Sequence, residues 1–124
     1  MTEATKSTIL IVDDDPSVRE SFALVLEESY HIEMIASGST ALERIGKGNV
    51  DLVFLDVRMP GVDGLETLHE IKKINPLLPV IMVTAASDLD FNKEAIAAGA
   101  AKYIMKPFDV SEILKTAQEM IKGK

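Results

Sequence analysis

The sequence lacks cysteine and tryptophan, and it contains only two tyrosines and four phenylalanines. Without cysteine the chain has no disulfide framework and no thiol chemistry, which fits a reducing cytoplasm, where we expect it to act. Because aromatic side chains are scarce, the hydrophobic content of 47% predicts a mainly aliphatic core. A length of 124 residues suits one domain.

An excess of basic residues and a long apolar segment are also missing. Lysine and arginine number 13 against 20 aspartates and glutamates, for a formal net charge of -7, which argues against direct nucleic-acid binding by this domain. The apolar runs stop well short of a membrane span, so we expect no membrane association. We expect a disordered polar leader over residues 1–7, a folded domain over 8–122 and a tail over 123–124.

The stretch from Asp51 to Asp56 predicts the central strand of the fold. Its four inner residues are apolar without alternation, which indicates a strand covered on both faces in a parallel sheet. The strand ends on the carboxylate of Asp56, and open α/β sheets bind ligands beyond the carboxyl ends of their strands. A turn-rich segment with proline and two glycines follows. We therefore expect Asp56 at the functional edge of the sheet.

Strands and helices alternate along the whole chain. Apolar runs predict five strands, at 8–12, 31–36, 52–55, 79–84 and 103–107. Each is followed by a segment of helical periodicity, with start signals that include Asp15-Pro16, Ser37-Gly38 and Asp109. Short connections and right-handed crossovers then predict an α/β fold, a doubly wound five-stranded parallel sheet in the flavodoxin-like (βα)5 order 2-1-3-4-5.

Polar side chains stand where the inner strands end. Asp13 and Asp14 follow the first strand, Asp56 ends the third, Thr84 the fourth and Lys106 the fifth. Three close carboxylates repel one another unless a cation lies among them, and a few hard oxygen ligands in an open crevice suit Mg²⁺. A lysine and a hydroxyl can contact phosphoryl oxygens. This edge is therefore predicted to bind a metal ion and phosphate.

Asp56 is the predicted phosphoryl acceptor because it lies on the middle strand. The acidic pair flanks it on one side, and Thr84 and Lys106 flank it on the other. A metal ion held by the acidic pair would neutralise the incoming oxygens and leave one Asp56 oxygen free for in-line attack.

These residues resemble the receiver domains of two-component response regulators, including the chemotaxis-regulator type, and the resemblance covers nearly the whole chain. The motifs are specific as an ordered set on the correct strand ends. They are Val12-Asp13-Asp14, Leu55-Asp56, Met59-Pro60, Asp63-Gly64, Val83-Thr84-Ala85 and Lys106-Pro107-Phe108.

The resemblance implies a phosphorelay switch. A sensor histidine kinase or a phosphotransfer protein would donate its phosphoryl group to Asp56, with Mg²⁺ required. The metal would be bound by Asp13, Asp14, Asp56 and the main-chain carbonyl of Arg58. The domain would catalyse its own phosphotransfer and dephosphorylation without being an enzyme for other substrates.

The same resemblance assigns roles beyond the metal. Lys106 and Thr84 would act at the phosphoryl group, and Thr84 with Tyr103 would form the switch pair. Lys106-Pro107 would be a cis peptide. The signalling surface would comprise the fourth helix, fifth strand and fifth helix, roughly 88–98 and 102–122. It would bind a downstream effector or a fused output domain, with a phosphorylation-dependent homodimer as a further outcome.

Two other functions fit the residues less well. A phosphatase of the haloacid dehalogenase type needs a second aspartate two residues after the nucleophile, where this chain has Arg58. A flavodoxin-like nucleotide carrier needs a phosphate cradle after the first strand, where this chain has three aspartates. His31 and His69 have no acidic or histidine partner at ligand spacing and are predicted to be surface residues. A stand-alone regulator and a receiver within a longer protein both remain open.

Overall fold

The computed structural model describes residues 6–13, 15–56, 58–59, 62–85, 89–106 and 109–121. Strands and helices alternate through this part of the chain, with one short hairpin between the third strand and the third helix. The strands are β1 Thr8–Val12, β2 His31–Ile35, β3 Leu52–Asp56, β4 Arg58–Met59, β5 Val62–Asp63, β6 Val80–Ala85 and β7 Lys102–Lys106. The helices are α1 Pro16–Leu26, α2 Gly38–Gly46, α3 Gly64–Ile74, α4 Leu89–Ala97 and α5 Val110–Ile121.

The large sheet has five strands in the order β2-β1-β3-β6-β7, and all its neighbours are parallel. Counted within this sheet alone, the order is 2-1-3-4-5, which confirms the predicted topology. Because β3 lies in the centre, its five residues are all buried. The carboxyl end of β3 therefore opens between the ends of β1 and β6.

Two separate hydrophobic layers cover the faces of the sheet. Val53 and Leu55 of β3 belong to the layer that includes residues of α2, α3 and α4. Leu52 and Phe54 belong to the layer that includes residues of α1 and α5. In that second layer the rings of Phe22 and Phe54 lie 4.9 Å apart, and the rest of the layer is largely aliphatic, as the composition predicts.

Side-chain caps fix where the helices that border the functional edge begin. The side chain of Asp15 accepts a hydrogen bond from the main-chain nitrogen of Ser17, and Pro16 takes the first helical position of α1. Asp109 accepts a bond from the nitrogen of Ser111 in the same way, at the start of α5. Both caps were predicted, and each sets the start of its helix next to a strand end.

The sequence missed one element. The segment after β3, predicted as a turn-rich loop, forms the two-residue strands β4 and β5, which pair antiparallel through Arg58–Asp63 and Met59–Val62. None of the helices that the structure describes is both long and apolar enough to cross a lipid bilayer. Of the leader predicted over 1–7, residues 1–5 lie outside the described residues, as do residues 122–124. The carbonyl oxygen of Ser7, at the end of that leader, accepts a hydrogen bond from the nitrogen of His31 at 2.9 Å.

Candidate functional site

Four of the predicted site residues lie at the carboxyl edge of the large sheet. Asp13 directly follows β1, Asp56 is the last residue of β3, Thr84 is the penultimate residue of β6, and Lys106 is the last residue of β7. Parallel pairing brings these ends to the same edge. The sheet order thus joins residues that are up to 93 positions apart between Asp13 and Lys106.

Lys106 is shared between two carboxylates. Its Nζ lies 3.6 Å from Oδ2 of Asp13 and 3.6 Å from Oδ2 of Asp56. The two aspartates are only 2% and 5% exposed, whereas the lysine side chain is 33% exposed. Buried carboxylates need a cation or hydrogen-bond donors, and this lysine supplies a positive charge to both.

The backbone around Asp13 holds its carboxylate in place. Oδ1 accepts a hydrogen bond from the nitrogen of Asp15 at 2.9 Å, while Oδ2 faces Lys106. The nitrogen of Asp13 donates to the carbonyl oxygen of Ile35 at 3.0 Å, which ties the residue to the end of β2. Asp13 is therefore oriented by main-chain contacts on both sides.

Asp15 serves α1 and does not take part in the buried cluster. Its carboxylate is fully exposed and accepts hydrogen bonds from both the hydroxyl and the main-chain nitrogen of Ser17. These bonds, the hydroxyl first, hold the pKa of the Asp15 carboxyl below its ordinary value. Asp15 therefore caps α1, as predicted, whereas the carboxylate of Asp13 lies beside Lys106.

The hydroxyl of Thr84 has no hydrogen-bond partner in the part of the chain that the structure describes. The side chain is 1% exposed. Leaving a buried hydroxyl unpaired costs about 1 to 3 kcal/mol. Buried polar groups without partners are rare in folded proteins, and this one lies one residue beyond Val83, the register partner of Asp56.

Tyr103 lies on the same face of the sheet as Thr84. In the β6–β7 register Met82 pairs with Tyr103 and Thr84 pairs with Met105, so Tyr103 stands two residues behind Thr84 on that face. The ring is partly buried and packs against the hydrophobic layer of α2, α3 and α4. Asp56 and Ile104 have the opposite orientation, toward α1 and α5.

The predicted metal ligands are described only in part. Asp13 and Asp56 are buried carboxylates that share one cation. Asp14 lies outside the described residues, as does Pro107, and Arg58 is described as a residue of β4. Within the described ranges no group of three or more acidic or histidine side chains is arranged to hold a metal ion. Asp13 and Asp56 nevertheless supply two hard oxygen donors of the kind that Mg²⁺ binds.

A groove of about 710 Å³ runs from the site along β7. Tyr103 and Lys106 both line it, so the same two residues touch the candidate site and this surface. Among its other lining residues, Ile96 of α4 and Met105 of β7 are large hydrophobic residues exposed to solvent. The groove therefore lies on the predicted signalling surface.

Sequence reasoning missed an ion-pair network on β2 and α2. Arg44 Nε lies 2.6 Å from Oε1 of Glu33, Nη2 lies 3.1 Å from Oε2, and Nη1 donates to the carbonyl oxygen of Gly48 at 2.7 Å. His31 is exposed, as predicted, but it has an acidic partner, since its Nε2 lies 3.3 Å from Glu33 Oε2. Residues i and i+2 share a strand face, so the His31–Glu33 spacing was the available signal.

Comparison with known proteins gives a consistent result. The family model described as the response regulator receiver domain matches residues 9–118. Transcriptional regulatory protein ZraR of Klebsiella oxytoca is 40% identical over 114 residues, which cover 91% of this chain and 26% of ZraR. The chain therefore spans about a quarter of the length of that relative.

Solved structures agree in fold. The crystal structure of the receiver domain of NtrX from Brucella abortus has a TM-score of 0.87 and 34% identity, covering 94% of this chain and 99% of that one. The solution structure of the beryllofluoride-activated NtrC4 receiver domain dimer has a TM-score of 0.87 and 32% identity, covering 94% and 97%.

Proposed function

The chain belongs to the response regulator receiver family, and from this premise we propose that Asp56 accepts a phosphoryl group from the phosphohistidine of a sensor histidine kinase or phosphotransfer protein. The reaction requires Mg²⁺. Phosphorylation then changes the surface that the domain presents to its partner. The domain acts as a signalling switch, with autocatalytic phosphotransfer and autodephosphorylation as its only chemistry.

The observation that supports this most strongly is the placement of Lys106 between Asp13 and Asp56. A buried carboxylate at the centre of the sheet edge has a cation 3.6 Å away and a second carboxylate across that cation. The lysine side chain is one-third exposed and long, so it can follow a phosphoryl oxygen once Asp56 is modified. A purely structural ion pair would not need the second buried carboxylate.

Asp13, Asp14, Asp56 and the main-chain carbonyl of Arg58 would hold the Mg²⁺ ion. The donor set fits this metal because it consists of hard oxygens, few in number, beside a site that phosphoryl oxygens enter. When bound, Mg²⁺ neutralises charge on the oxygens of the incoming phosphoryl group. Asp13 is suited to this role because its backbone contacts fix its direction before any ligand binds.

The transfer step is a displacement at phosphorus. An Asp56 oxygen forms the new P–O bond while the P–N bond to the donor imidazole breaks, and the nitrogen leaves with the electron pair and takes up a proton from solvent. Lys106 Nζ pairs with a phosphoryl oxygen during the transfer. The product is an acyl phosphate at the end of β3.

Thr84 and Tyr103 would change conformation when Asp56 is phosphorylated. The buried Thr84 hydroxyl, which has no partner among the described residues, donates to a phosphoryl oxygen on Asp56. Because Tyr103 lies behind Thr84 on the same face, movement of the threonine opens space into which the ring turns. Phosphorylation thereby biases two states of one surface.

The surface formed by α4, β7 and α5 is the proposed partner-binding surface. Tyr103 and Lys106 line its groove, which makes the partner-binding surface continuous with the phosphorylation site. The partner is a downstream effector or a fused output domain, and the relative ZraR is named a transcriptional regulatory protein. A phosphorylation-dependent homodimer is a further outcome, since the NtrC4 receiver structure is an activated dimer. We place this activity in the cytoplasm, without direct contact to nucleic acid or membrane.

The test uses a small-molecule phosphodonor with the purified chain. Intact mass should rise by one phosphoryl group in the presence of Mg²⁺ and stay unchanged with a chelator. Asp51→Asn is a matched control at the other end of β3, and it should still be modified. A mass increase that persists with the chelator would contradict the proposed metal dependence.

A further inference from the structure

The main-chain nitrogen of Asp15 joins the start of α1 to a carboxylate of the candidate site. It donates to Oδ1 of Asp13 at 2.9 Å, while Oδ2 of that carboxylate lies 3.6 Å from Nζ of Lys106. Asp13 is only 2% exposed. A hydrogen bond to one oxygen of a ligating carboxylate sets the direction of the whole group. The direction of Asp13 therefore depends on how firmly residue 15 is held.

Helix capping holds Asp15 through its side chain. Oδ1 accepts hydrogen bonds from the nitrogen of Ser17 at 3.0 Å and from its hydroxyl at 2.9 Å. The carbonyl oxygen of Asp15 accepts from the nitrogen of Arg19 at 3.1 Å. The residue has a φ of -91° and a ψ of 112°, the extended conformation of a helix N-cap, which Pro16 also favours at this position. The nitrogen of Asp15 is thus held in a direction toward Asp13.

Asp109 forms the same kind of cap at the start of α5. Its Oδ1 accepts from the nitrogen and the hydroxyl of Ser111, both at 3.0 Å, and its carbonyl oxygen accepts from the nitrogen of Ile113 at 3.2 Å. In the part of the chain that the structure describes, no hydrogen bond joins Asp109 to Asp13 or Asp56. The two caps therefore resemble each other in their bonds to the helix and differ in their connection to the site.

We propose that Asp15 is a positioning residue for Mg²⁺, because its cap of α1 fixes the nitrogen that orients Asp13. The carboxylate of Asp15 is engaged by Ser17, so the residue acts through its main chain and not as a metal ligand. This role rests on the Mg²⁺-dependent phosphorylation proposed above and adds a residue to it. Since the coupling between two equilibria is reciprocal, Mg²⁺ binding should also stabilise the cap.

The test compares Asp15→Ala with Asp15→Asn, and Asp109→Ala is the matched control. Titration with Mg²⁺ at high salt, followed by amide shifts, gives the dissociation constant while the field of exposed charges is screened. Asp15→Ala should weaken Mg²⁺ binding by about tenfold, the low end for loss of a group that orients a metal ligand. Asp15→Asn should stay within about twofold of the wild type, because asparagine caps a helix as well as aspartate does.

The control variant separates positioning from stability. Asp109→Ala removes an equivalent cap, so its melting temperature should fall as far as that of Asp15→Ala while its Mg²⁺ affinity stays at the wild-type value. Equal loss of affinity in Asp15→Asn and Asp15→Ala would overturn positioning in favour of a direct effect of the Asp15 charge. Unchanged affinity in Asp15→Ala, or an equal loss in Asp109→Ala, would overturn it as well.

Hydrogen exchange in the metal-free chain tests the same contact without Mg²⁺. After correction for intrinsic rates, the amide at position 15 should exchange about tenfold faster in Asp15→Ala than in the wild type or in Asp15→Asn. No acceleration there would refute the role of the cap. Added Mg²⁺ should slow exchange at Ser17 in the wild type, and unchanged exchange would contradict the coupling. A wild-type chain that does not bind Mg²⁺ would contradict the proposed function, whereas exchange without the metal would still decide whether the cap holds this contact.

Discussion

The ammonium nitrogen of Lys106 on β7 lies 3.6 Å from Oδ2 of Asp56 on β3, although β6 separates the two strands. The side chain therefore reaches across a strand to place its charge at the centre of the sheet edge. The same nitrogen is 3.6 Å from Asp13 on the far side of Asp56. One cation thus compensates two carboxylates that are almost fully buried.

Removing that cation should destabilise the protein in the absence of metal. We expect Lys106→Met to lower the free energy of unfolding at neutral pH by about 1 to 2 kcal/mol, because two buried carboxylates each lose an ammonium group 3.6 Å away while the lysine itself is partly exposed. Mg²⁺ should stabilise the variant more than the wild type. Urea denaturation with and without Mg²⁺ measures both effects, with the exposed Lys93→Met as control. Equal stability of variant and wild type without Mg²⁺ would contradict the shared role.

The hydroxyl of Thr84 should be dispensable for stability. Because Oγ1 is buried without a described partner, Thr84→Val should leave the free energy of unfolding unchanged or raise it by up to about 1 kcal/mol. Thr116→Val is the matched comparison, since its buried hydroxyl accepts from Lys102 Nζ at 3.1 Å and its loss should cost about 1 kcal/mol. Thermal denaturation of the two variants measures both effects. A clear loss of stability in Thr84→Val would show that the hydroxyl stabilises the fold.

Glu33 should make stability depend on acid pH. The Arg44 guanidinium, hydrogen-bonded to it, lowers the pKa of the Glu33 carboxyl below its ordinary value of 4.5. Because the folded pKa is depressed, the stabilisation is fully present above pH 4.5 and is lost as pH falls through the folded pKa. Glu33→Gln should therefore cost about 0.5 to 1 kcal/mol at neutral pH.

The control for this pH dependence is Glu43→Gln, an exposed residue on α2. Denaturation curves measured from neutral to acid pH should converge for wild type and Glu33→Gln as pH falls, whereas Glu43→Gln should follow the wild type throughout. If the free energies of unfolding of wild type and Glu33→Gln differed by the same amount at every pH, the charge of Glu33 would not be what stabilises the contact between β2 and α2.

Substitution of two nearby glycines by alanine should change the stability of the protein in opposite directions. Gly46 ends α2 and Gly48 follows it, and a Cβ meets nothing within 4 Å at either position. Gly48 has a φ of +85°, which strains any residue with a Cβ, so Gly48→Ala should cost about 1 kcal/mol. Gly46→Ala should gain about 0.5 to 1 kcal/mol from helix propensity. Melting temperatures that move in the same direction would contradict this assignment.

The order of strands and the residues at their ends were predictable because they follow from local apolar runs and from the general rule that connections between parallel strands are short and right-handed. Continuous apolar runs mark buried parallel strands, and the residue after each run must lie at the carboxyl edge. The Asp15 cap was predictable for the same reason, since proline at the next position fixes the helix start. These features need no knowledge of contacts between distant residues.

Contacts between distant surface residues were not predictable in the same way. The pairing of Glu33 with Arg44 and the donation from Lys72 to Leu78 depend on how helices lie against strands and loops. Long charged side chains can adopt many conformations, so the spacing of such residues in the sequence does not reveal which of them pair. The β4–β5 hairpin was missed because two-residue strands have no periodicity to read.

The most direct test of the central claim identifies the modified residue. After treatment with phosphodonor and Mg²⁺, borohydride converts an aspartyl phosphate to homoserine, which peptide mapping locates in the sequence. We predict homoserine at position 56 in the wild-type chain and none in Asp56→Asn, with Thr84 and Lys106 unmodified in both. Conversion at another aspartate in the wild type, or phosphorylation that persists in Asp56→Asn, would contradict the account.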